Sequence, residues 1–187
     1  MIIARKRRLI VAAQRKQEGN IEQAMEVYKK LGTPGAPHKL LAHMAGSWST
    51  KIRNWTSPDV TPMEWSGSSE QRMVLDGRYL HQEFAGEMMG QPYQGIGFTG
   101  YDNHLQRYVS TWMDSMSTGI MYFEGTASAD GKTIIQTAGF DDPVRGPMQW
   151  RSVTSILGDN TMLFEMYSLG ESGQEKKMME ITYTRNQ

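Results

Sequence analysis

The residue types best suited to chemistry gather in one stretch, Gly100-Tyr101-Asp102-Asn103 followed by Trp112-Met113-Asp114-Ser115-Met116-Ser117. In an extended chain successive side chains point to opposite faces. Tyr108, Ser110, Trp112 and Asp114 therefore share one face, and Val109, Thr111 and Met113 the other. Turned inward, the first set forms an aromatic wall with a hydroxyl and a carboxylate, the mixture expected of a small-molecule pocket. Turned outward it is solvated, the second set fills a packed core, and Asp114 merely holds the turn around Ser115–Gly119. Arg78, just after Gly77, is able to face a ligand carboxylate or phosphate, or else pairs within the chain with Asp76 or Asp114. Glu83 and Glu87 alternate with Tyr79 and His81 on a face that reads as exposed, opposite Leu80, Gln82 and Phe84. The ligand-binding set read from these patterns is Arg78, Tyr101, Tyr108, Trp112, Asp114 and Met116. No residue earns a catalytic assignment.

Other chemistries find little support. The chain has no cysteine, hence no disulfide framework, thiolate metal site or thiol nucleophile. His38, His43, His81 and His104 show no metal-ligand spacing, and His38 and His43 are five apart rather than the four that would share a helix face. No metal and no cofactor is expected. Fifteen methionines are many for 187 residues, and Met73, Met113, Met116, Met121, Met162 and Met166 fall in strand-like segments. Methionine adapts to irregular apolar ligands, but ordinary core packing accounts for the same count.

Charge separates the ends of the chain. Formal net charge is zero, yet residues 1–17 hold six basic and no acidic groups, so the rest carries 14 basic against 20 acidic. The basic leader invites nucleic acid or anionic lipid. The mildly acidic remainder argues against a nucleic-acid-binding body. No apolar run approaches the roughly 20 residues of a membrane span. Leu9–Ala13 is shorter than a secretory core of about 7–15 residues, so the expected location is cytoplasmic.

The positioning elements follow from periodicity. Ile21, Ala24, Met25, Tyr28 and Leu31 make one apolar helical stripe, with Asn20 and Gln23 as a capping pair and Gly32 and Pro34 as the stop. Such a helix is marginal alone and needs a docking surface. Pro37 opens a shorter helical turn with Leu40, Leu41 and Met44, ending at Gly46. Ten strands are predicted over about 47–55, 63–74, 77–87, 92–101, 105–115, 118–128, 132–140, 147–157, 160–169 and 175–185. Turn signals at Asp102-Asn103, Asp130-Gly131, Gly158-Asp159-Asn160 and Glu171-Ser172-Gly173 are short, which makes neighbouring strands antiparallel. A meander of this length removes its edges by closing. Glycines 86, 95, 97 and 100 suit the bends of a small barrel. The organisation read from the chain is a basic leader at 1–19, a helical extension at 20–46, and an up-and-down antiparallel barrel at 47–187.

Two features at opposite ends of the strand region resemble the lipocalins and their calycin relatives. Gly46-Ser47-Trp48 is similar to their Gly-x-Trp opening, and Arg185 on the last strand holds the place of the basic residue that packs over that tryptophan. Trp48 and Arg185 are expected to close the barrel through a cation–π contact. The inner segments resemble more closely a large, mostly uncharacterised bacterial family, a domain of unknown function. The likeness runs from His38-Lys39-Leu40-Leu41 through Gly77-Arg78-Tyr79-Leu80, Gly86-Glu87-Met88-Met89-Gly90, the Tyr108–Gly119 stretch and Met179–Arg185, covering about residues 33–185. It implies a barrel and no reaction. In some calycin-type barrels a histidine binds haem, which would put His81 or His104 on the iron.

Three functions stay open. The first is a barrel holding a small, largely apolar ligand. The second is an enzyme with Asp114 as general base and Tyr101 or Arg78 stabilising charge. The third is an interaction protein whose helix at 20–31 mediates self-association or plugs the barrel.

Overall fold

The computed structural model describes residues 20–57, 59–142, 146–170 and 173–187. The basic leader lies outside them. The chain divides into two compact units, Met1–Thr33 and Pro34–Gln187. In the first, α1 spans residues 20–31 and ends as its residue types dictate. The Gly32 N–H donates to Tyr28 O at 2.8 Å, and the Thr33 hydroxyl donates to Lys29 O at 2.7 Å. Ile21, Met25 and Tyr28 of its apolar stripe are exposed.

The second unit opens with α2 (Ala36–Met44), with Pro37 in its first turn, where a missing N–H costs nothing. Gly35 has no side chain to cap the helix, so His38 reaches back: its Nδ1 accepts the Gly35 N–H at 3.0 Å. Leu41, Met44 and His38 form the buried side.

Ten strands follow: β1 (Gly46–Asn54), β2 (Met63–Val74), β3 (Tyr79–Met88), β4 (Gln91–Asp102), β5 (Arg107–Asp114), β6 (Met121–Ala127), β7 (Thr133–Asp142), β8 (Gly146–Gly158), β9 (Thr161–Leu169) and β10 (Glu175–Arg185). Each pairs antiparallel with its neighbour in sequence, and β1 pairs with β10, so the sheet is a closed barrel. Closure satisfies every edge at once. The expected strands match to within about three residues, and the differences have local causes. Leu75, Asp76 and Gly77 all have positive φ, so β3 starts at Tyr79 rather than Gly77. Asp102 Oδ1 accepts the N–H groups of His104 and Leu105, and Gln106 has φ 53°, which delays β5 to Arg107. Register shifts between Ile156 and Gly158 and between Lys177 and Met179 mark bulges, which periodicity does not reveal.

One end of the barrel is closed. Trp48 and Arg185 are register partners at the β1–β10 seam, as expected from the chain. The guanidinium sits 4.1 Å from the indole centroid. It also donates to the carbonyls of Ala45 and His43, which are orphan acceptors at the end of α2, and to Asp159 O in the β8–β9 turn. The Trp48 Nε1 donates to Met44 O at 3.0 Å. Gly46 has φ +142°, and a Cβ there would collide with the guanidinium. Leu41, Met44, Trp48, Leu80, Tyr108 and Met162 are among the residues of the core that fills this end. Phe123, Ala138 and Met166 form a smaller cluster further along.

Candidate functional site

Beyond that floor the barrel is hollow. It encloses a cavity of about 320 Å³, within the range of about 300–1,000 Å³ typical of ligand pockets. Seven methionines line it, Met121, Met162, Met166 and Met179 among them, together with Phe84, Phe123 and Phe164. Its walls are soft and apolar.

Polar groups enter the cavity as ordered clusters. On one side the Gln82 Nε2 donates to Ser69 Oγ at 3.1 Å and to Tyr183 Oη at 3.2 Å. Burial pushes the Tyr183 phenol up to about 12, against the opposing hydrogen bond from Gln82. On the other side Ser110 Oγ lies 3.0 Å from Thr99 Oγ1 and donates to Gln136 Oε1 at 2.9 Å. Gln71 Oε1, Gln136 Nε2 and Trp150 Nε1 are buried with no hydrogen-bond partner among the described residues, and all three residues line the cavity. Such groups are costly to keep.

The third cluster centres on Asp114. Its Oδ2 accepts from Tyr93 Oη and from Trp112 Nε1, both at 3.1 Å, and its Oδ1 accepts the Met116 N–H at 3.0 Å. The last bond builds the turn after β5, which is why β6 begins at Met121 rather than at residue 118. Burial holds the Tyr93 phenol well above its ordinary range; the Trp112 hydrogen bond opposes this and the Asp114 charge adds to it. The Trp112 ring lies flat against β4, where Gly97 is its register partner and Gly95 that of Asp114. A Cβ at Gly95 or Gly97 would run into the indole. These two glycines therefore clear a bed for an aromatic ring.

The far half of β5 borders the cavity, and Thr111 of the opposite set lines it too. Ser110, Trp112 and Asp114 line the cavity, and Met116 joins them at the turn. Arg78, Tyr101 and Tyr108 do not line it. Tyr108 and Asp114 are six residues apart on one strand, about 20 Å at the usual rise of ~3.3 Å per residue, so the residues read as one site split between floor and cavity. Tyr108 is buried under α2, with its hydroxyl 3.4 Å from Pro37 O. Tyr101 meets Tyr108 and His38 edge-on at 5.0 and 6.1 Å. Arg78 donates to Leu75 O at 3.0 Å and lies 3.6 Å from Asp76, the intramolecular pairing rather than a ligand contact.

Trp65, Tyr93, Trp150 and the glutamines were missed. Their signal was parity, since Tyr93 shares a face with Gly95, Gly97 and Thr99 on β4. No histidine is among the described lining residues. His81 packs against Phe98 with ring centroids 4.6 Å apart, and the His104 N–H belongs to the Asp102 turn. Among the described residues no group of His, Asp or Glu is arranged to hold a metal ion, and no helix is long and apolar enough to cross a membrane.

The chain resembles known proteins in sequence and in fold. Residues 33–185 match the model of the family described as "Protein of unknown function (DUF1579)". The chain belongs to that family. No curated protein matches it. Among solved structures, it is similar to Rv2717c from M. tuberculosis, with TM-score 0.57, 12% identity, and coverage of 83% of this chain and 100% of that one. It is similar also to a de novo designed fluorescence-activating beta barrel, with TM-score 0.43, 13% identity, and coverage of 76% and 93%. A redesigned beta barrel gives TM-score 0.42, 13% identity, and coverage of 81% and 96%. At these identities the likeness concerns fold alone.

Proposed function

We propose that the protein is a small-molecule-binding barrel that encloses a largely apolar ligand. The observation that carries this reading is the cavity of about 320 Å³, walled by methionine and phenylalanine and crossed by a few fixed polar groups. Packed interiors leave few voids larger than a water molecule, so walls spaced this far apart leave contact energy for a third body to supply. A ligand recovers it. The Gly-x-Trp opening and its arginine fit a lipocalin-like mode of use, in which one closed end supports a site reached from the other. The division of labour then follows: residues 47–187 hold the ligand, and α2 with Arg185 supports the floor.

Two measurements test this. Native mass spectrometry of the purified full chain is expected to show a small-molecule adduct. A lipophilic dye is expected to quench tryptophan emission with one-to-one stoichiometry, because Trp112 lies in the wall. A chain that carries no adduct and quenches with none of a lipophile panel would remove the proposal. The general-base reading of Asp114 is less well served. All three of its hydrogen bonds come from groups that orient it, and two of those donors belong to neighbouring aromatic side chains.

A further inference from the structure

The cavity has an electrostatic sign. Asp114 is the one acidic side chain among its described lining residues, and no lysine, arginine or histidine is among them. The described donors to its carboxylate are neutral: a phenol, an indole N–H and a backbone amide. Among the described residues no basic side chain pairs with it. Elsewhere on this barrel carboxylates meet cations, as in Arg53 with Glu180, Lys177 with Glu165 and Arg151 with Glu175.

The surroundings reinforce that sign. Tyr93, which donates to Asp114, meets Trp65 at 5.4 Å and Phe84 at 5.8 Å, both edge-on, and Trp65 meets Phe84 at 5.9 Å. With Trp112 these rings form an aromatic wall beside the carboxylate, and all four line the cavity. Aromatic faces carry partial negative charge and attract cations, most strongly where water is excluded. A carboxylate with aromatic walls and no internal countercharge is an environment that favours an entering cation. It repels an entering anion. The rest of the wall, methionine and phenylalanine, calls for an apolar body.

We propose that the cavity selects hydrophobic organic amines, seating the ammonium group at Asp114 beside Trp112, Tyr93 and Trp65 and the apolar body on the methionine-rich wall. This rests on the ligand-binding reading and specifies the class of ligand. Three orphaned buried atoms, on Gln71, Gln136 and Trp150, are neutral. Gln136 Nε2 and Trp150 Nε1 suit an acceptor on the ligand body and Gln71 Oε1 a donor, and none of them carries the charge that Asp114 supplies.

The test compares octylamine, octanol and octanoic acid, which share a chain and differ at one end, by calorimetric titration of the full chain at neutral pH. The amine is protonated there, as a lysine is. The expected ranking is amine over alcohol by about tenfold, with the acid weaker than the alcohol. Asp114→Asn keeps one acceptor, for Tyr93 and Trp112, and gives up the one that takes the Met116 N–H, while removing the charge. It is expected to bring the amine level with the alcohol, and its circular dichroism, compared with that of wild type, reports that the variant is folded. An alcohol bound as tightly as the amine by the wild-type chain overturns the inference while leaving the ligand-binding reading intact. So does an acid bound as tightly as the amine, or an amine preference that survives in folded Asp114→Asn. If none of the three binds, the ligand-binding reading fails and the inference falls with it. The wild-type ranking decides even where the variant does not fold.

Discussion

The Arg185 guanidinium lies 4.1 Å from the centroid of the Trp48 ring while its nitrogens donate to the carbonyls of Asp159, Ala45 and His43. One side chain thus joins the last strand to the first, to the end of α2 and to the β8–β9 turn. The three hydrogen bonds fan to three carbonyls, a geometry that a guanidinium fork supplies and an ammonium does not. Trp48 is fully buried, so loss of its cover opens the core rather than the surface.

Arg185→Ala is therefore expected to destabilise the barrel by about 2–3 kcal/mol, combining the cation–π contact with the lost hydrogen bonds to charge. Arg185→Lys is expected to recover less than half of that. Urea unfolding checks both, through the midpoint at unchanged slope. Equal midpoints for Arg185→Lys and wild type would show that the fork geometry is unimportant.

The bed under Trp112 gives a second prediction. Gly95→Ala places a methyl against the indole, which must tilt. Overpacking of this kind costs about 1–3 kcal/mol. Trp112→Phe removes the larger ring and makes room, so Gly95→Ala on the Trp112→Phe background is expected to cost well under about 1 kcal/mol. A double-mutant cycle of urea midpoints measures the coupling. Additive effects would show that Gly95 serves the bend of the strand instead.

His38 makes stability depend on pH. Burial on the inner side of α2 lowers its pKa from the ordinary 6.5, and the nearby Arg78 charge lowers it further. Tyr101 presents its ring to the same imidazole. The neutral ring accepts the Gly35 N–H, and protonation destroys that acceptor. A depressed folded pKa means that the unfolded chain binds the proton more readily. The contribution is thus complete above about pH 6.5 and is lost as the pH falls towards the folded pKa. Unfolding midpoints of the wild type are expected to drop across that window. His38→Gln, whose amide oxygen also accepts, is expected to flatten that part of the profile, leaving the carboxylate-driven loss at lower pH. A His38→Gln profile parallel to wild type would assign the drop to other groups.

How much of this could be read in the chain depends on the range of the forces involved. Strand number and order were legible because alternation and short turns are local, and the Trp48–Arg185 closure because both residues stand at fixed places in a recognisable resemblance. That Trp112 and Asp114 lie on one face was legible from parity along a single strand, whereas Met116 belongs to the turn that follows. Tyr108 has the same parity, Tyr101 lies in the same stretch of sequence and Arg78 offers a charge to an anion, but none of these signals measures distance along the barrel: β5 carries its two ends to opposite regions of it. Tyr93 escaped notice because its meeting with Asp114 needs the register of β4 against β5, and Trp65 because its meeting with Tyr93 needs the registers of β2 against β3 and of β3 against β4. Whether the interior was packed or hollow was equally out of reach, since the same methionines and phenylalanines serve either purpose. The helical stripe of α1 demanded a docking surface, and Ile21, Met25 and Tyr28 are exposed, so that demand stands.

Gln136 separates what the fold needs from what the cavity uses. Its Oε1 accepts from Ser110, but its buried Nε2 has no partner, and an unpaired buried amide N–H costs about 1–3 kcal/mol. Gln136→Leu removes that cost together with one acceptor, and Ser110 keeps Thr99 as a neighbour at 3.0 Å. Leucine also has nearly the volume of glutamine, so packing is preserved. The variant is accordingly expected to be as stable as wild type or more so, by up to about 1 kcal/mol in urea. Binding should respond differently. Octanol, able to offer an oxygen to the free N–H, is expected to lose affinity in Gln136→Leu, while an alkane-like dye is expected to gain it. A large loss of stability would instead make Gln136 a structural residue whose second bond goes to ordered water. A stability-neutral exchange that inverts the preference between alcohol and hydrocarbon would place its amide at the ligand.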